Sequence, residues 1–149
     1  MEKQDWTAEQ QVWQRVHASR EEGSRNDLRQ LRREAMELAA IYRNLVSQLS
    51  GKQQEQAKQL YMGEKANAAA LAGIAVLSRQ PGETLKLWNP DREEPGKALE
   101  KCYHRTRRCL TEYMARSAEG EFGVVYQQLA EREATHCLLI AQLLGRWKG

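Results

Sequence analysis

Two short segments place metal-binding side chains at helical spacing. Glu133-Ala134-Thr135-His136 sets a carboxylate and an imidazole three positions apart, one turn along one helix face, so that both can reach a single ion. Glu64-Lys65-Ala66-Asn67 repeats the spacing with an amide in place of the imidazole. Both glutamates fall on apolar seams, where an unpaired ionised carboxylate costs several kcal/mol. Each therefore needs a cation, a hydrogen-bond network or a proton.

The elements that must carry these segments follow from the apolar periodicity. Thr7-Ala8-Glu9-Gln10 reads as a capping box, and Trp6, Val12, Trp13 and Val16 anchor a short leading helix that Gly23 closes. Ser24 and Asp27 offer a second start. Helices are expected over Arg25 to Ser50, closed by Gly51, then over Gln53 to Ser78, Gly96 to Ala118 and Glu121 to Gly145. The stretch Arg79 to Pro95 carries Trp88 and is punctuated by Pro and Gly, which makes it a crossing loop. One domain over 1–149 results: an N-terminal helical extension at 1–23, a first helical hairpin at 25–78, the crossover at 79–95 and a second hairpin at 96–145.

Repeats of three and four residues define the inward faces. They are Leu28, Leu31, Ala35, Leu38, Tyr42, Leu45 and Leu49 in the first helix of the bundle, and Leu60, Glu64, Asn67, Leu71 and Ile74 in the second. The third offers Leu99, Cys102, Thr106, Cys109 and Tyr113, the fourth Tyr126, Leu129, Glu133, His136, Ile140 and Leu143.

The halves read as a duplication. Glu64 and Glu133 are 69 positions apart, as are Asn67 and His136, while Tyr42 and Tyr113 are 71 apart, a mismatch that different hairpin loops absorb. A Tyr-bearing helix followed by a Glu-x-x-His helix, repeated once over Leu28 to Leu144, resembles the ferritin-like superfamily and its rubrerythrin-type helical domain. The resemblance implies an all-α, antiparallel ferritin-like four-helix bundle with an extra short N-terminal helix. It further implies a two-iron centre to which each half supplies a Glu seven positions before the core Tyr and one Glu-x-x-His. Glu64, Glu133 and His136 match ligand positions; Asn67 replaces a His, and Ala35 and Thr106 stand where the other carboxylates would be. Glu34 and Glu37 flank Ala35 but point about 100° or more away from it around the helix.

Two readings of this core stay open. In one, Glu64, Glu133 and His136 bind a single iron or manganese ion, with water or Asn67 completing the shell and Tyr42 and Tyr113 close behind; metal handling or redox chemistry is what the resemblance implies for it. In the other, no metal binds: His136, Asn67, Tyr42 and Tyr113 form a satisfied network around the carboxylates, and the chain is a non-catalytic interaction or structural bundle. Whether the protein is an enzyme is not decided by the residues. A third reading gives helix 96–118 a nucleic-acid surface through Arg105, Arg107 and Arg108 beside His104 and Arg116, but 23 basic against 20 acidic side chains, for a net charge of +3, argue against it.

The 149 residues suit a single domain, and Ala, Leu, Gln, Glu, Lys and Arg dominate over β-branched and aromatic types, as helices require. No signal peptide or membrane span is read, so a cytoplasmic location and no membrane partner are expected. Cys102, Cys109 and Cys137 form no CxxC pair, which speaks against a disulfide framework, a structural zinc site or a rubredoxin-like module and for buried reduced thiols. Trp6, Trp13, Trp88 and Trp147 lie off the core seams, where they cover bundle ends or form a homodimer surface. His17 and His104 have no ligand motif around them. Nucleophile, phosphate-loop and dinucleotide patterns are missing, so hydrolase, kinase and dehydrogenase chemistry have no support.

Overall fold

The computed structural model describes residues 28–80, 88–118 and 120–148. The leading helix expected before Gly23 lies outside the described residues, as do positions 81–87 of the crossover. The chain divides into two compact units, Met1–Gln30 and Leu31–Gly149. The described residues are all-α, with four helices and no strand: α1 over 28–48, α2 over Gly51–Leu77, α3 over Pro95–Ser117 and α4 over Gly123–Lys148. None is long and apolar enough to cross a membrane.

Every side chain assigned to an inward stripe is buried, including Glu64, Asn67, Thr106, Glu133 and His136. Leu38, Leu60, Leu71 and Ile140 are fully enclosed. Each such side chain contributes about 1.5–3 kcal/mol, which lets the same core carry two carboxylates. Helices α2 and α4 meet through Gln56 with Gln142, Glu64 with His136, and Asn67 with Glu133. On the other side α1 meets α3 through Tyr42 with Thr106, and through Glu34 and Glu37, which share Arg105. Tyr42 and His136 join the two sides, their rings edge-on with centroids 6.4 Å apart.

The ends differ from expectation in three places. Gly51, read as closing the first helix, opens α2 instead; its φ of +59° makes the sharp break after α1 that only glycine adopts cheaply. The stop after α2 is an arginine in the left-handed region, Arg79 at φ 56°, with Gln80 N donating to Ala75 O. Helix α4 starts two residues late, because Gly120 at φ 82° and the turn after it delay the first helical bond, and it runs through Gly145 to Lys148. Glycine weakens a helix by about 1 kcal/mol but does not by itself end one.

Candidate metal centre

Helical periodicity puts Glu64 of α2 and Glu133 and His136 of α4 on facing seams, and the fold closes the distance between them. One ligand atom from each of the three lies within 4.8 Å of the others, and all three side chains are buried. His136 Nδ1 is 3.2 Å from Glu64 Oε1 and 3.5 Å from Glu133 Oε1. The Asn67 amide donates to Glu133 Oε1 at 2.7 Å. Burial, and after it the Glu133 carboxylate, hold the Glu64 carboxyl well above the usual carboxylate range.

The expected polar network does not close. Glu64 Oε2 and Glu133 Oε2 are buried with no hydrogen-bond partner among the described residues, and so is the Tyr113 hydroxyl. Tyr42, expected around the carboxylates, instead shares a hydrogen bond of 3.2 Å with Thr106. Asn67 is spent as well: its Oδ1, the one atom it could offer a hard cation, accepts from Arg132 at 2.6 Å. In this arrangement Asn67 supports Glu133 and is not a ligand.

Two residues that the periodicity did not single out shape the site. A Cβ on Gly63 would lie 2.2 Å from His136 Nε2 and 2.5 Å from Cε1, so the imidazole fits only because α2 has no side chain there. Gly63 and Arg132 are 69 positions apart, as the two glutamates are. Each therefore stands immediately before the glutamate of its half and faces the other half's third residue: Gly63 faces His136, and Arg132 faces Asn67. The pairing is complementary in size, glycine against the ring and arginine against the short amide. A glycine in mid-helix, directly before a core glutamate, was the available signal; a shallow groove of about 590 Å³ lined by Gly63, Met62, Gln128, Thr135 and His136 opens beside it.

The remaining candidates sit elsewhere. Glu34 and Glu37 bond Arg105 at 2.9 and 3.1 Å. They add nothing to the cluster and pair with Arg105 instead. Cys102 and Cys109 are buried, Cys137 is half-buried, and all three are free. Burial pushes the Cys102 thiol up to about 12 and the Cys109 and Cys137 thiols upward too, so they pack as neutral groups. Trp88 is 43% exposed and lines, with Leu45, Lys101 and Arg108, a cavity of about 470 Å³ between α1, α3 and the crossover.

The donor set suits one ion. Two carboxylates and an imidazole, with a free oxygen on each carboxylate, match iron or manganese better than a thiophilic metal. Among the described residues a second ion has no comparable set, since Ala35 carries no donor, Thr106 is bonded to Tyr42, and Asn67 is held by Arg132. No protein family, curated protein or solved structure matches the chain.

Proposed function

We propose that this protein is a ferritin-like, rubrerythrin-related antiparallel four-helix bundle that holds a single iron or manganese ion on Glu64, Glu133 and His136, for metal handling or redox chemistry. The observation that carries the reading is the pair of buried carboxylates, whose Oε1 atoms lie 3.2 and 3.5 Å from His136 Nδ1 and whose Oε2 atoms have no hydrogen-bond partner among the described residues. Leaving two such oxygens unpartnered is costly, and a divalent ion compensates both at once. The α2–α4 contacts, whose numbers fall in one helix as they rise in the other, support the antiparallel pairing. The 69-residue repeat of Glu64 and Glu133 supports the kinship.

In the proposed centre the two carboxylates supply charge, and His136 sets geometry through its close fit against Gly63. Asn67, held by Arg132, orients Glu133. The ion, when bound, supplies Lewis acidity or electron transfer. Elemental analysis after anaerobic loading with Fe(II) or Mn(II) and desalting tests the reading. About one equivalent is expected in the wild type and on the order of a hundredfold weaker binding in Glu133→Ala; equal metal in both sinks it.

Arg132 supports a second reading, a metal-free interaction or structural bundle. Its guanidinium reaches the carboxylates through Asn67 and offsets part of their charge without an ion. The readings separate at Arg132→Met. If an ion binds, removing the like charge beside it raises divalent affinity on the order of tenfold, read by competition with a chromophoric chelator. In a metal-free bundle the variant only loses stability.

A further inference from the structure

The cavity between α1, α3 and the end of the crossover is separate from the carboxylate cluster: none of Glu64, Glu133 and His136 lines it. Its volume, about 470 Å³, lies within the roughly 300–1,000 Å³ common for small-molecule sites. Leu45 and Ala98 give it buried apolar surface, and Trp88 lines it while keeping 43% of its own surface exposed. One wall is a single face of α3, since Lys101, His104, Arg105 and Arg108 follow one another at helical spacing.

The charges on these walls are of two kinds. Lys101 is paired with Glu93, and Arg105 is held by Glu34 and Glu37 at 2.9 and 3.1 Å. Arg108 and Asp91 line the cavity too, and neither has an ion pair among the described residues. The Lys101–Glu93 contact fixes where these two stand. Asp91 is two residues from Glu93, whereas Arg108 is seven residues along α3 from Lys101, a rise of about 10 Å. The cavity therefore has an acceptor end at Asp91, an aromatic wall at Trp88 and a cationic end at Arg108.

A matching ligand carries a hydrogen-bond donor and an anion on either side of a flat ring. A free amino acid is too short, because its ammonium and carboxylate share one carbon. An unpaired guanidinium binds phosphate through two parallel hydrogen bonds, and an indole face stacks on a nucleobase. We propose that this cavity binds a nucleoside monophosphate whose base carries an exocyclic amine. The base lies on Trp88, its amine donates to Asp91, and the phosphate accepts from Arg108 with His104 one turn away. Asn44 and Gln48, one turn apart on α1, offer amides to the ribose hydroxyls. The site does not depend on the ion proposed above.

The test is calorimetric titration of the full chain with AMP, adenosine, inosine monophosphate and inorganic phosphate, in chelator so that no divalent ion bridges phosphate to protein. AMP is expected to bind about tenfold or more tightly than adenosine or phosphate, which each lack one half of the contacts. Inosine monophosphate, with a carbonyl in place of the amine, binds about tenfold more weakly than AMP, and Asp91→Ala removes that preference. Arg108→Gln lowers AMP affinity to that of adenosine, and Trp88→Leu weakens it about tenfold. Arg107→Gln, one residue away but outside the cavity, binds AMP as the wild type does. Equal weakening in both arginine variants assigns the binding to a general basic face of α3 and overturns the proposal. So does AMP that binds no more tightly than adenosine, or that does not bind.

Discussion

Gly63→Ala is expected to weaken metal binding on the order of a hundredfold, the upper range for displacing the support of a metal ligand, although alanine is the better helix former. The added methyl would sit 2.2 Å from His136 Nε2, far inside van der Waals contact. The ring cannot simply yield, because Nδ1, next to the clashing Cε1, is held against Glu64 and Glu133. Either the imidazole leaves the carboxylates or α2 and α4 separate; overpacking of this kind costs about 1–3 kcal/mol. Gly73 is the control. It lies on the same helix, and a Cβ there meets nothing within 4 Å, so Gly73→Ala gains about 0.5–1 kcal/mol of stability and leaves metal binding intact. Thermal unfolding and metal content of the two variants, side by side, separate helix propensity from fit. Equal metal content in both would remove the steric role assigned to Gly63.

The second large effect is in the pH dependence of stability. Without metal, the protein loses stability as pH rises from mildly acidic to neutral, and Glu64→Gln flattens that slope. The folded protein holds the Glu64 carboxyl well above its ordinary value of 4.5, through burial and then through Glu133 beside it. It therefore binds this proton more tightly than the unfolded chain does. The resulting stability is fully present below 4.5 and declines above it, as the unfolded chain gives up a proton that the folded one keeps. Bound metal reverses the slope, since Glu64 must be deprotonated to act as a ligand and affinity grows over the same range. At a thousandfold excess over Kd the ion adds about 4 kcal/mol. Glutamine mimics the protonated carboxyl, so Glu64→Gln keeps the acid-side stability at neutral pH and loses the response to metal. Thermal unfolding with chelator and with Mn(II), at both ends of the range, reads all four quantities; metal-free wild type that gains stability toward neutral pH would falsify the assignment.

Both expectations depend on how the two halves differ. If Gly63 admits the His136 ring and Arg132 fills the equivalent place against Asn67, a histidine at position 67 would meet the arginine rather than a free wall of α4. The asparagine at position 67 and the arginine at 132 then form one structural feature. The two core tyrosines differ as well: Tyr42 bonds Thr106, while the Tyr113 hydroxyl has no partner among the described residues.

Much of this was legible in the chain itself. Apolar residues at helical spacing identify all four buried faces, because a helix has one period and a core admits one side of it. The same rhythm puts Glu64, Glu133 and His136 inside, since a polar residue in register with leucines has nowhere else to point. Proline and glycine marked the crossover, though not the exact ends of α4, where one glycine's φ and the indifference of another decided. Tertiary structure alone decided which polar atoms meet. Periodicity places a residue on a face and says nothing about its partner across the core, so the commitment of Asn67 to Arg132 and the contact of Tyr42 with Thr106 appear only when α1 to α4 pack. The need for glycine at position 63 is of the same kind, set by a ring 73 positions away, because steric fit is a property of two surfaces and neither helix carries it alone.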